Sequence, residues 1–377
     1  MKKKVVKKSK NFWLTLPKPF FAIAPMANVT DAVFRKLFAK YGKPDVTWTE
    51  FVSADGLNSA GKKKLLVDLE YSEKERPVVA QLFTGHPEEM KKAAKLIVEL
   101  GFDGLDINMG CPDRAVLKQG GGSALIKNPK VALAVLQAAR EGVGIIDPPT
   151  LKLWRARKLK CKMENCSAHV SDISSIPVSV KTRIGFNTID LSWIELLLKQ
   201  RLPALTVHLR TRKEMSEAAA HWEIMPEIVK MRDLISPQTK IIGNGDVRSM
   251  AQAREYAEKY GCDGVMIGRG IFGKPWFFNT DTNKASAGTE SMSEEKTPEQ
   301  RLKILAEHAK LFEKAYGGTS LGKRGKKRLK NFDVMKKHFK AYVHGWDGAK
   351  ELRVKLMATK NVKEVVSVIK EYSPSAT

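Results

Sequence analysis

Cysteine is scarce in this 377-residue chain, and the four present (Cys111, Cys161, Cys166 and Cys262) are too unevenly spaced for a disulfide framework. Long apolar runs are missing as well: none reaches the ~18 residues of a membrane span. The opening stretch, MKKKVVKKSK, has the basic part of a signal peptide with no apolar stretch or cleavage site behind it. Together these absences exclude a disulfide-stapled secreted protein and a membrane protein, and the expectation is a reduced, cytoplasmic one. Acidic residues are also in deficit, 41 Asp and Glu against 66 Lys and Arg, a formal charge of +25. A surface that basic suits a polyanion, either nucleic acid or an acidic membrane.

What is present is a regular alternation. Short runs rich in β-branched residues occur at 20–26, 45–51, 77–83, 104–109, 177–183, 204–210, 240–246 and 264–270. Each has the length and composition of a buried parallel strand. Helix-like segments separate them, two of which (PEEMKKAAKLIVELG and VRSMAQAREYAEKYG) end in glycine, as helices often do. Eight strands, each followed by a helix, predict an α/β fold, a (β/α)8 TIM barrel over 17–278. A doubly wound open sheet is the rival, but the GxGxxG of its dinucleotide-binding form is absent after the first strand. Residues 1–16 read as a basic tail, 142–176 as an insertion and the small, polar stretch 279–298 as a linker. Residues 299–377 read as a small all-α C-terminal domain with a basic break at 322–328.

Chemistry in such a barrel gathers where strands end and loops begin. That rim would carry Pro25 and Met26, Gln81, Asn108 and Cys111, Lys181 and Arg183, His208 and Arg210, then Asn244, Gly245 and Asp246, and last Gly268 and Arg269. Glycines after strands seven and eight let backbone N–H groups approach a phosphate, and Arg269 adds a charged donor. Lys181 and His208, if side by side, could donate to an anionic ring such as a reduced flavin. Either could equally be a structural group.

The motifs APMANVTDAVFR, QLFTG, DGLDINMGCPDRAVLKQGGGSALIKNP, VSVKTRIGF, VHLRTR, NGDV, GRGIFGKPWFF and MKKHFKAYVHGWDGAKELRVKL resemble, in that order, those of the tRNA-dihydrouridine synthases. The resemblance covers both domains and omits the tail, the insertion and the linker. It departs at Ala220-His221-Trp222, where the family commonly has Ala-Asp-Trp. It implies an FMN barrel with a helical tRNA-binding domain that uses NADPH to reduce the C5–C6 bond of particular uridines. It implies that Pro25, Met26, Ala27 and Gln81 line the flavin, and that Lys181 and His208 contact its ring. Asn244, Gly245, Asp246, Gly268 and Arg269 would hold its ribityl chain and phosphate. Cys111 would be the proton donor, and Asn108 and Arg183 contacts to the target base. Lys336, Lys337, Lys340 and Arg353 match basic positions of the tRNA-binding helices. Such an enzyme would act on tRNA as a monomer, with no membrane.

Saturating uracil needs a hydride at C6 and a proton at C5. A thiol, with a pKa near ~8.5, is mostly protonated at neutral pH and can serve as that acid. A Gly-Cys-Pro turn is suited to exposing one: Gly110 permits an unusual backbone and Pro112 fixes φ. Cys161, Cys166 and His169 offer three zinc ligands where a structural site wants four, so no metal is expected. Cys262 reads as core. The basic surplus is concentrated: residues 296–377 hold 20 Lys and Arg against 8 Asp and Glu, and residues 1–10 hold six lysines and no acid. Such concentration suits phosphate contacts along a folded RNA. A barrel reducing a free pyrimidine would not need it. An RNA-binding protein without catalysis would not need Cys111, Lys181, His208 and Arg269 together.

Overall fold

The structure, a computed structural model, describes residues 11–144, 176–279, 296–318, 321–322, 325–326 and 328–372. Eight strands form one parallel sheet in the order β1-β8-β7-β6-β5-β4-β3-β2. They are β1 (Phe20–Ile23), β2 (Thr47–Ser53), β3 (Val78–Phe83), β4 (Gly104–Met109), β5 (Val178–Arg183), β6 (Ala204–His208), β7 (Lys240–Asn244) and β8 (Gly264–Ile267). A parallel bridge between Ala22 and Val46 joins β1 to the approach of β2 and closes the ring. The result is the expected TIM barrel. The strands read as apolar runs because both faces are covered, by the barrel interior and by the helices.

Among the described residues, the barrel helices of eight residues or more are α1 (Ala32–Tyr41), α2 (Pro87–Glu99), α3 (Pro129–Gly144), α4 (Leu191–Leu198), α5 (Met225–Ile235) and α6 (Met250–Tyr260). Their starts are set by local chemistry. Asp31 accepts from Phe34 N at 2.9 Å, Ser249 accepts from Gln252 N at 3.1 Å, and Pro87 opens α2 where its missing N–H costs nothing. Gly261, left-handed at φ 70°, ends α6.

The expected tail 1–16 is too long. Phe12–Leu14 form a 3-10 turn, and Trp13, 1% exposed, packs under the barrel against Trp48 at 5.7 Å and Phe20 at 5.9 Å between ring centroids. The lysine-rich context concealed an apolar plug. The expected insertion also starts too early, since α3 runs to Gly144. The rest of it, with Cys161, Cys166 and His169, lies outside the described residues. Cys262 is buried in the barrel core, as read.

After the linker stretch come α7 (Pro298–Tyr316), α8 (Val334–Tyr342), α9 (Ala349–Ala358) and α10 (Val362–Tyr372). Thr297 and Gln300 close a capping box at the start of α7, so the helix begins at the end of the stretch read as linker. Leu321–Gly322 (β9) and Gly325–Lys326 (β10) pair antiparallel, so this region is helical apart from one short ladder. Its core (Leu305, Phe312, Met335, Phe339, Leu352, Ile369) also takes in Val33, Val67 and Trp276 from the barrel. The two parts share one apolar interface. Among the described residues no helix is long and apolar enough to cross a membrane.

Candidate active site

The register of the strands assembles the site. Gln81 stands beside Asp106, Asn108 beside Lys181, Arg183 beside His208, and His208 beside Asn244. With side chains at alternate positions facing inward, these residues form layers at the C-terminal end of the barrel. There all of them but Asp106 line a cavity of about 710 Å³, together with Pro25, Met26, Cys111, Gly245, Asp246, Gly268 and Arg269. Ala27, expected in that lining, is exposed and outside it, and Ala24 is there instead. Lys181 and His208 share the cavity from neighbouring strands, two residues out of register: the direct strand partner of His208 is Arg183.

Cys111 is held by its backbone, and its thiol is in no disulfide. Its N–H donates to Asn108 Oδ1 at 2.9 Å, and its carbonyl accepts from Ser123 N and Oγ, both at 3.0 Å. Gly122, at φ 58°, must be glycine, because a Cβ there would stand 2.6 Å from the Cys111 carbonyl oxygen. Arg183 Nε donates to Gly110 O at 2.8 Å, while its Nη1 donates to Thr211 O and Met215 O at 2.9 Å. Asn108 Nδ2 donates to Gln81 Oε1 at 3.0 Å, and Gln81 Nε2 donates to Asp106 Oδ2 at 2.7 Å. Asn108 and Arg183, expected as contacts to a base, thus have these polar atoms committed to holding the Cys111 turn and the loop after β6. The Cys111 thiol is free, half-buried and facing the cavity. Burial pushes its pKa up, outweighing the hydrogen bond from the Asp113 amide and the nearby cations Arg183 and Lys181.

The cavity is cationic. Lys181 has no hydrogen bond or ion pair among the described residues, and burial with the neighbouring Arg183 lowers its pKa to about 8. Burial first, then Arg183, Lys181, Arg210 and Arg269, drives His208 well below its ordinary pKa, so it is neutral. Its Nε2 lies 3.2 Å from Arg210 Nη1, which makes that nitrogen the acceptor. Asp246 is held low by Arg210 and by the Ala220 amide, which offset its burial; Arg269 Nη2 reaches its other oxygen at 3.1 Å. Asn244 Nδ2 donates to Met266 O at 2.8 Å. At Gly245 (φ 141°) a Cβ would lie 2.6 Å from Ala220 Cβ, and at Gly270 it would strike the Val247 carbonyl. The backbone is therefore bare along this wall.

A cation without a partner, a wall kept free of side chains and an arginine at its mouth fit a ligand with an anionic ring and a phosphate. Arg248, Lys274, Ser216 and Phe51 also line the cavity and were missed. Arg248 and Lys274 lie just past NGDV and GRGIFG, so rim loops read a few residues further would have included them. Trp222 of the departing Ala-His-Trp fixes the β7 turn by donating to Gly245 O at 2.8 Å. His221 pairs with Glu214 at 2.7 Å, which holds the loop after β6. Of the basic C-terminal positions, Lys337 and Lys340 are exposed, Lys336 is paired with Asp333, and Arg353 donates to Val343 O.

Among solved structures, a morphinone reductase mutant in complex with tetrahydroNAD aligns over 71% of this chain and 87% of its own, at 14% identity and a TM-score of 0.43. "Probable tRNA-dihydrouridine synthase 2" of Bacillus subtilis (strain 168) is 36% identical over 367 residues, 97% of each chain. "Probable tRNA-dihydrouridine synthase" of Staphylococcus aureus (strain COL) is 37% identical over 365 residues, 96% of this chain and 95% of its own. The family model described as dihydrouridine synthase matches residues 22–158 and 158–376. The chain therefore belongs to the dihydrouridine synthase family and is an oxidoreductase.

Proposed function

We propose that this protein reduces the C5–C6 double bond of specific uridines in tRNA to 5,6-dihydrouridine, with FMN in the barrel cavity and NADPH as the source of electrons. The observation that carries this reading is the Cys111 thiol, pinned by its backbone on both sides and free at the mouth of a cationic cavity. Bound there, FMN supplies a hydride for C6 of the base. Lys181 and neutral His208 would face its ring, and Gly245, Gly268, Gly270 and Arg269 would hold its phosphate end, with Asn244 and Asp246 shaping that wall.

Cys111 holds the proton for C5. Its raised pKa keeps the thiol protonated at neutral pH, which is the state an acid needs. Asn108 and Arg183 keep the thiol in place, and the exposed Lys337 and Lys340 meet tRNA phosphates. The domain division at the linker, a monomeric state and a cytoplasmic setting belong to the same reading.

The test is position-resolved mapping of dihydrouridine in tRNA with and without the protein, run beside release of the bound flavin by denaturation. One or more uridines should become reduced, and the flavin should be FMN. A protein that releases FAD, or leaves every uridine unreduced with FMN and NADPH supplied, overturns the proposal.

A further inference from the structure

Between the barrel and the helical domain lies a second buried polar cluster that takes no part in the chemistry above. Lys330 stands on the segment between β10 and α8. That segment is fastened to α7, since Leu329 N donates to Tyr316 O at 2.9 Å and Arg328 Nη2 reaches Glu313 at 2.5 Å. The Lys330 side chain, only 8% exposed, crosses into the barrel. Its ammonium meets Glu50 Oε2 at 2.5 Å and Asp68 Oδ1 at 2.7 Å.

Glu50 sits in β2 and is itself buried. Its other oxygen, Oε1, accepts from the backbone N–H of Asn28 at 2.5 Å. Asn28 is left-handed at φ 55° and lies two residues after Met26. The loop between is tight: Met26 N donates to Thr30 Oγ1 at 2.9 Å, and Val29 N and Thr30 N donate back to Met26 O. Arg35 fixes its far end by donating to Thr30 O at 2.6 Å. Pro25 and Met26, at its near end, line the cavity.

We propose that Lys330 is a positioning residue: through Glu50 and the Asn28 amide it lets the helical domain set the loop that carries Pro25 and Met26 against the flavin. The inference rests on the flavin reading above. The physical argument is that a carboxylate buried among Asp31 and Asp68 needs a cation to stay ionised, and the cation comes from the other domain. As a carboxylate it holds the Asn28 N–H by a charge-assisted bond; without Lys330 the buried charge is left uncompensated and must be neutralised or turn toward water, which weakens that bond. The pKa of Glu50, already raised to about 7 by its burial, shows how narrowly the charge is kept.

The experiment compares the full-length wild type with Lys330→Met, Lys330→Arg and the double variant Glu50→Gln with Lys330→Met. Amide exchange across 24–31 is measured without flavin, and FMN affinity by titration. Lys330→Met should speed exchange in 24–31 and weaken FMN binding, each by about tenfold, the weight of one lost hydrogen bond to a charged group. Exchange in α7 and in the strands should be unchanged. Lys330→Arg should restore both readouts. The double variant should also restore exchange protection, because a neutral Gln carbonyl can accept from Asn28 without a cation nearby. It answers the question even if Lys330→Met alone does not fold. Unchanged exchange and affinity, or exchange raised evenly through the whole chain, overturns the inference. A wild type that binds no FMN, with the exchange pattern as expected, overturns the flavin reading and leaves the strut intact.

Discussion

What holds Cys111 decides much of what its thiol can do. Its thiol proton is kept more tightly than that of an ordinary cysteine, because burial outweighs the cations near it. Cys111→Ala should retain FMN binding and NADPH oxidation while uridine reduction falls by on the order of 10²–10⁴-fold, the usual weight of a positioned acid. The sign of the pH dependence follows. A group that must be protonated works below its pKa, and with that pKa raised, uridine reduction should hold through neutral pH and fall only in the alkaline range. Full tRNA activity in the alanine variant, or a reduction rate that rises with pH as the thiolate forms, would remove Cys111 from the acid role. The residue types at this site were legible in the sequence, since Asn-Met-Gly-Cys-Pro ends an apolar run where a barrel exposes its rim. Their bonding was not. Asn108 and Arg183 spend polar atoms on the Gly110 carbonyl, the Cys111 amide and the loop after β6. Backbone acceptors leave no mark in a sequence.

At the scale of elements, the strand runs were readable because a parallel barrel covers both faces of each strand, so no alternation is needed to see them. β4 spans the very residues 104–109 that its run predicts, whereas the runs at 204–210, 240–246 and 264–270 overshoot β6, β7 and β8. The surplus residues (Arg210, Asp246, Gly268 and Arg269 among them) belong to the loops that line the cavity. Packing between α7 and α8 was not readable. There the rings of His308 and His338 meet at 4.5 Å, tilted by 55°, with both Nε2 atoms buried and without a hydrogen-bond partner. Burial lowers both pKa values, that of His338 to about 3. The unfolded chain binds protons at these rings below about pH 6.5 and the folded one does not, so stability must drop as pH falls. Each histidine costs up to ~1.4 kcal/mol per pH unit below that point. Urea unfolding at several pH values should show this slope, and His338→Phe, beside the Phe34 ring, should roughly halve it. A variant with the wild-type slope would mean that the acid sensitivity arises elsewhere.

Across the whole molecule, charge is the property that composition foresaw and that position refines. The cavity gathers Lys181, Arg183, Arg210, Arg248, Arg269 and Lys274 in the barrel, while Lys337 and Lys340 stand exposed on α8. Arg353 and Lys336 are already engaged within the protein, so their removal would mix folding with binding. Lys337→Gln with Lys340→Gln is the cleaner change. If both meet phosphate, tRNA affinity should weaken, and the log–log salt slope should flatten by roughly 0.7–0.9 for each lysine–phosphate pair removed. Flavin reduction by NADPH should be unchanged. Titration of tRNA at several salt concentrations measures this; an unaltered slope would mark α8 as a solvated face and send the tRNA elsewhere.

The described end of α3, at Gly144, and the start of β5, at Val178, both lie at the pole opposite the cavity. Chain can accumulate at that pole without altering the spacing of any two residues at the rim, because β5 re-enters in register with β4 and β6. The architecture thus lets the connection at one pole take any length without disturbing the arrangement of side chains around the cavity at the other.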